Sequence, residues 1–238
     1  YHREPITYEA PYLDNLPTAP REKFAANIAA IQKLKEIEQR VANGGSPAFE
    51  DEQKILAQYT GWGGLSDAFD PNKSTWSNEY SQLKAALSES EYEAARSSTL
   101  TALNTPTTVI PPISTALELV GVKGGKILEP SMGTGAFLAH GHFGSSDAKF
   151  YGVELDSITG RISKQLYQKA NIQVTGYENA LLPDNYFDCV IGNVPFGNFQ
   201  VNDPQYNRLH FPIHDYFFAK SIDKLRSGGI MAFITSSG

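Results

Sequence analysis

Four consecutive residues, Asn193-Val194-Pro195-Phe196, set two hydrogen-bond acceptors beside a flat apolar ring. The Asn193 amide oxygen accepts, and so does the Val194 carbonyl. Pro195 biases Val194 toward an extended conformation, which fixes the direction of that carbonyl, while Phe196 offers a face on which a base can stack. Such a set suits an exocyclic amino group on a planar ring. It follows Phe187-Asp188-Cys189-Val190-Ile191-Gly192, an apolar run of the length expected of a strand buried in a parallel sheet. Open α/β sheets place their ligands at the carboxyl ends of such strands.

A second constellation lies upstream. Lys126-Ile127-Leu128-Glu129 reads as a short strand, Pro130-Ser131-Met132-Gly133-Thr134-Gly135 as a tight glycine turn, and Ala136-Phe137-Leu138 as the start of a helix. Strand, Gly-x-Gly and helix together suit a small anionic or zwitterionic ligand. Phe150-Tyr151-Gly152-Val153-Glu154 is the next strand, and it ends in an acid nineteen residues after Gly135, a spacing from which a carboxylate reaches ribose hydroxyls. Only residues 176–186 separate a third strand, 171–175, from the strand before Asn193, so Glu178 and Asn179 fall near the same ligand.

Other reactive-looking residues read as structural. Asp188 is a strand-entry residue. Gly61-Trp62-Gly63-Gly64-Leu65 lacks both a preceding strand and a following Lys-Ser/Thr, so it is a turn that pins Trp62 rather than a phosphate loop. His140 and His142 lie on opposite sides of a helix, and His210 and His214 straddle Pro212, so neither pair has metal-ligand spacing. The polar stretch 197–211, with Phe199, Tyr206, Arg208 and His210, is long enough to be functional or mobile.

These residues need a scaffold. Prolines among the first twenty residues, Pro5, Pro11, Pro17 and Pro20, predict an extended lead-in. Apolar spacing predicts helices over about 21–41 and 49–59, and Ser88-Glu89-Ser90-Glu91 has the spacing of a capping box that opens another through Leu100. Asn104-Thr105-Pro106-Thr107 resembles a cap before the apolar segment 109–120, where Pro111 and Pro112 delay the helix to about Ile113. Asp156 caps a helix to about Lys169, 214–225 forms an amphipathic helix, and 230–235 a last strand. The first hundred residues are thus helical, and the rest alternates strand and helix.

Composition narrows the function. The chain is 41% apolar, enough for a substantial core, and its net charge of −6 argues against a protein that holds nucleic acid through a broad basic surface. Cys189, the single cysteine, is expected in the core of a protein from a reducing cytoplasm. No apolar run approaches the length of a membrane span, and no signal-peptide pattern opens the sequence, so a soluble protein with no membrane partner is expected.

Taken together, Thr105-Pro106, Leu128 to Gly135, Glu154, Glu178 and Asn193-Val194-Pro195-Phe196-Gly197 resemble class I S-adenosylmethionine-dependent DNA adenine-N6 methyltransferases, in the gamma-type motif order. The Phe-Gly ending looks like that of the modification subunits of type I restriction systems. Gly61-Trp62-Gly63-Gly64 and Tyr151-Gly152-Val153-Glu154-Leu155-Asp156 are similar to the methylase part of large methylase-helicase proteins of plasmids and conjugative elements. The general resemblance covers 104–238, and the narrower one extends to the first hundred residues.

The resemblance implies an α/β, Rossmann-like methyltransferase sheet over 104–238, preceded by a helical region over 21–103 and the lead-in over 1–20. It implies S-adenosylmethionine as cofactor. Thr105 and Pro106 would lie beside its methionine part, Glu129, Ser131, Gly133 and Gly135 around its amino and carboxylate groups, Glu154 at the ribose hydroxyls and Glu178 at the adenine amino group. Asn193, Val194, Pro195 and Phe196 would form the catalytic tetrapeptide, acting on an adenine flipped out of DNA. The second residue of the family's tetrapeptide is proline, so Val194 is a departure, which predicts a competent but less rigid site. The family's sheet has seven strands and this chain supplies five, so further C-terminal regions or a partner, such as a helicase, are expected to complete it and to recognise the target. Two alternatives remain: methyl transfer to a glutamine side-chain amide in protein, and an inactive cofactor-binding module of a larger helicase. A nicotinamide enzyme fits less well, because Leu138 stands where its third glycine would be.

Overall fold

A computed structural model of the chain describes residues 3–8, 16–100, 105–141, 143 and 147–235. Pro11, Asn104 and His142 lie outside the described residues. The chain divides into two compact units: Tyr1–Asn104 with Asp156–Lys169, and Thr105–Leu155 with Ala170–Gly238.

The first unit is helical. Helix α1 (Pro20–Ala42) starts with a proline in its first turn, where no intrahelical N–H is needed, and buries Phe24, Ile28, Ile31, Leu34 and Ile37 along one face. Helices α2 (Glu50–Leu56), α3 (Ser77–Ala86) and α4 (Glu89–Ser98) follow. The α4 capping box forms as its spacing predicts: Glu91 N–H donates to the Ser88 hydroxyl, and Ser88 N–H to the Glu91 carboxylate. Trp62 is buried edge-on against Tyr59 and Phe69. The turn that holds it is tied down where the Asn27 side chain donates to Gly61 O at 2.6 Å and accepts from Thr60 N–H at 2.9 Å, so the glycine run is an anchor for an aromatic core. The lead-in pairs by an antiparallel bridge, Thr7 with Tyr167, and by the Tyr8 N–H to Leu166 O bond at 2.7 Å.

The second unit carries the sheet. Strands β1 (Lys126–Glu129), β2 (Lys149–Glu154), β3 (Asn171–Val174), β4 (Phe187–Asn193) and β5 (Leu225–Ile234) are parallel, in the order β3-β2-β1-β4-β5. The order reverses between β1 and β4, the switch point of a doubly wound, Rossmann-like sheet. Alternate residues serve opposite faces. Ile127, Cys189 and Ile191 pack with Ile110 and Leu117 of α5 (Ile110–Leu119) and Phe137 of α6 (Ala136–His140), while Leu128 and Val190 pack with Tyr216 and Phe217 of α8 (Ile213–Lys224). The remaining helix, α7 (Ser157–Leu166), is capped by Asp156 as predicted but belongs to the first unit.

Helices α2 and α7 end about three residues earlier than the sequence reading placed them, and two other boundaries differ for a plain physical reason. α5 begins at Ile110 rather than Ile113, because Pro111 and Pro112 occupy its first turn, where a missing N–H costs nothing. β5 is drawn from Leu225, but its regular pairing starts at Ile230 after an irregularity opposite Phe187 and Cys189. A side chain at Gly229 would sit 2.9 Å from Phe187 O, so this close passage requires glycine. Among the described residues, β5 pairs only with β4 and is an edge strand. No helix among the described residues is long and apolar enough to cross a membrane.

Candidate active site at the carboxyl ends of the strands

Strand order sets four of the singled-out residues in a row. Glu178 follows β3, Glu154 ends β2, Glu129 ends β1 and Asn193 ends β4, so the four stand at consecutive carboxyl ends.

Glu129 is the least ordinary of them. It is 3% exposed, and its Oε2 has no hydrogen-bond partner among the described residues. Burial, reinforced by the charge of Glu154, pushes its pKa well above the usual carboxylate range. A buried, unpartnered carboxyl is costly unless a cation or donor meets it.

The glycine turn follows Glu129 directly in the chain. Gly133 and Gly135 have φ of 55° and 81°, in the left-handed region, and a Cβ on Gly133 would meet nothing within 4 Å. The turn is pinned to β2 by Met132 N–H to Val153 O at 3.0 Å and by Gly133 N–H to the Glu154 carboxylate at 2.7 Å. Gly152 lets the Met132 thioether lie against β2, since a Cβ there would collide with the sulfur. α6 has only five residues, so the cradle is formed by the turn itself more than by a helix terminus. Ser131 is half-buried in this turn. Its residues fit a small zwitterion: a glycine turn with open space at Gly133, directly following a buried carboxyl whose Oε2 has no partner among the described residues.

Glu178 stands in a 3₁₀ turn, Tyr177–Asn179, where its carboxylate folds back over Gly176 and accepts from the Asn179 amide at 3.1 Å. Thr105 and Pro106 precede the turn into α5; Pro106 O accepts Val109 N–H at 3.2 Å, and neither residue hydrogen-bonds to the strand-end carboxylates. Asp188 lies at the opposite end of the sheet. It accepts Lys126 N–H at 2.7 Å and the Arg226 guanidinium at 2.5 Å, and these bonds, outweighing desolvation, hold its pKa below the usual range. Burial pushes the Cys189 thiol up to about 12, so it stays protonated in the core.

Val194 is buried, and its N–H donates to Ile234 O at 3.1 Å, extending the β4–β5 pairing by one bond. A proline at this position has no N–H to give, so valine supplies a restraint of its own. Asn193 is half-buried and Phe196 is 43% exposed beyond it. Two features were given no role in the sequence reading. Leu155, next to Glu154, is 75% exposed, an apolar surface at the strand end. Asp203, in the loop after Phe196, and Lys220 of α8 form a buried ion pair. Leu155 was readable as an apolar residue after a strand-terminal acid, whereas nothing in the spacing of Asp203 and Lys220 reveals their contact. Among the described residues, no group of three His, Cys, Asp or Glu side chains is placed to hold a metal.

The model of a family described as Eco57I restriction-modification methylase matches residues 84–238. The chain is 28% identical over 238 residues to the "Defense against restriction protein B" of Escherichia phage P1, covering 98% of this chain and 9% of that protein. It is 30% identical over 118 residues to the "Modification methylase CviBIII" of Paramecium bursaria Chlorella virus NC1A, covering 48% of this chain and 31% of that one. The chain therefore spans only a minor part of either relative. Among solved structures, a TehB-like SAM-dependent methyltransferase from Corynebacterium glutamicum is 20% identical with a TM-score of 0.36, covering 52% of this chain and 61% of that one. A SAM dependent methyltransferase from Aquifex aeolicus is 17% identical with a TM-score of 0.38, covering 54% and 66%.

Proposed function

Since the chain belongs to the Eco57I restriction-modification methylase family, we propose that it transfers a methyl group from S-adenosylmethionine to the N6 amino group of adenine in DNA, with the target base flipped out. The observation that carries this reading is the row of Glu154, Glu129 and Asn193 at the ends of β2, β1 and β4, with Glu129 buried and its Oε2 without a partner among the described residues.

S-adenosylmethionine supplies an electrophilic methyl on a sulfonium, together with an α-ammonium group. Glu129 meets that ammonium, with Ser131 and the backbone at Gly133 and Gly135 around the amino-acid end and Thr105-Pro106 on its methionine side. Glu154 takes the ribose hydroxyls, Leu155 covers an adenine face, and Glu178 accepts from the adenine amino group. On the substrate side, the Asn193 amide oxygen and the Val194 carbonyl accept the two hydrogens of the target amino group. The nitrogen lone pair is otherwise delocalised into the ring, and two acceptors favour a pyramidal nitrogen. Its lone pair would form the N–CH3 bond as the S–CH3 bond breaks, so that S-adenosylhomocysteine leaves as the neutral thioether and the surplus amino proton is lost to solvent. Positioning and electrostatics then supply most of the rate. Phe196 stacks on the base. Extrusion from the duplex costs about a few kcal/mol, returned in part by that stacking.

Tritium transfer from labelled cofactor to DNA, RNA and protein fractions tests the reading. Label is expected in DNA, as N6-methyladenine, and Asn193→Ala is expected to abolish it while cofactor affinity stays within a few-fold. Label confined to protein would select transfer to a glutamine amide instead, and cofactor binding without any transfer by the full-length protein would select an inactive module.

A further inference from the structure

A polar loop as long as 197–212 invites mobility, yet buried polar groups hold this one. Asp203 and Lys220 are 4% and 5% exposed, and the Lys220 ammonium lies 2.7 Å from Asp203 Oδ2, which also accepts the Tyr216 hydroxyl at 2.8 Å. Asp203 Oδ1 accepts Gln205 N–H at 3.1 Å, and Asp203 O accepts the N–H groups of Tyr206 and Asn207 at 2.9 Å. The ammonium also faces the rings of Tyr177, Tyr216 and Tyr206, with 5.2, 5.7 and 5.9 Å to their centroids. Tyr206 in turn donates to Asp223 of α8 at 2.5 Å. A buried ion pair is a poor source of net stability, because desolvation cancels most of the attraction. What it does supply here is one geometry for the loop.

The same loop carries an exposed aromatic residue. Phe199 is 56% exposed, its carbonyl is fixed by Ile213 N–H at 2.9 Å, and its ring lies against Gly197. Gly197 has φ of 154°, and a Cβ there would sit 2.7 Å from that ring. Two exposed rings, Phe196 and Phe199, thus flank one glycine immediately beyond Asn193.

We propose that Phe199 is a second contact surface for the target base, beside Phe196, and that the Asp203–Lys220 pair acts as the latch that holds it there. This rests on the reading that transfer goes to a nucleobase. Phe199 contacts the base, and Asp203 and Lys220 act as positioning residues.

The test uses the intact protein, labelled cofactor and plasmid DNA prepared without adenine methylation. Phe199→Ala is expected to raise KM for DNA about five- to hundredfold, the range of one lost stacking contact, with kcat and melting temperature close to the parent. Phe199→Tyr is expected to restore KM and Phe199→Leu is not, because the contact needs a flat ring. The double variant D203N/K220M removes both charges at nearly constant volume, so it is expected to fold, and to raise KM as Phe199→Ala does. Adding Phe199→Ala to that double variant is expected to cause little further loss, since the latch acts through this ring. An unchanged KM in Phe199→Ala, or restoration by leucine, overturns the base contact. Independent, multiplying losses overturn the latch. A parent protein that labels no DNA overturns the reading beneath both, an outcome distinct from the others because the variants play no part in it.

Discussion

A carboxyl that is buried without a partner costs free energy until a cation or a donor meets it. The Glu129 pKa lies well above its ordinary 4.5, through burial first and the charge of Glu154 second. The sign follows. As pH rises past the ordinary value, the unfolded chain ionises Glu129 while the folded chain retains the proton, so stability without ligand falls until the raised pKa is reached. An ammonium beside the carboxyl favours the ionised form, so binding releases a proton wherever the free protein still holds it. Calorimetry in two buffers of different ionisation heat is expected to show that release, with affinity tightening as pH rises toward the raised pKa. In Glu129→Gln the release is expected to vanish and affinity to fall by roughly 1–3 kcal/mol, the loss of a charge-assisted hydrogen bond. Release of the same number of protons by the variant would remove Glu129 from the ligand's contacts. The identity of this residue was legible in the sequence, because a strand that ends in an acid before Gly-x-Gly is a local pattern. Its missing counter-charge was not, since burial and the approach of Glu154 are set by the pairing of β1 with β2.

At the scale of elements, local signals were readable and tertiary ones were not. The capping box of α4, the cap of α7 and all five strands follow from turn chemistry and apolar patterning. α3 went unread because only Leu83 of its ten residues is buried, which leaves almost no periodic face to find. α7 hid a different fact. Its Arg161 forms ion pairs with Glu38 of α1, at 2.6 Å, and with Glu91 of α4, at 2.9 Å, so a helix that follows a sheet strand in sequence belongs to the helical unit. Glu91 also takes Lys35 at 3.0 Å and the Ser88 N–H at 2.8 Å. These partners, acting against desolvation, lower its pKa from 4.5 to about 2. A depressed carboxylate stabilises above its unfolded pKa and stops doing so as pH falls through its folded one, so the contribution is lost between about pH 4.5 and 2. Melting temperature is expected to drop more steeply over that window in the parent chain than in Glu91→Gln, which is already less stable at neutral pH. Parallel curves would show that other carboxylates govern the acid limb.

At the scale of the whole chain, charge and function pull in different directions. Twenty Lys and Arg against twenty-six Asp and Glu leave −6, whereas a protein that grips duplex DNA gains most of its affinity by displacing counterions with clustered cations. The proposed chemistry needs the target base delivered to Asn193, but delivery and chemistry need not share a surface. The phage relative aligned along 98% of this chain is more than ten times its length, and in a polypeptide of that kind the basic face can come from other regions. The 238-residue chain is therefore expected to bind S-adenosylmethionine but to hold DNA only in the nonspecific range, about 10⁻⁴–10⁻⁶ M at physiological salt, with little preference among sequences. Titration by band shift at several salt concentrations checks this, because few phosphate contacts also mean a shallow dependence of affinity on salt. Tight, sequence-selective binding would overturn the expectation and move target recognition into this chain, with the helical unit and the 197–212 loop as the regions to mutate first.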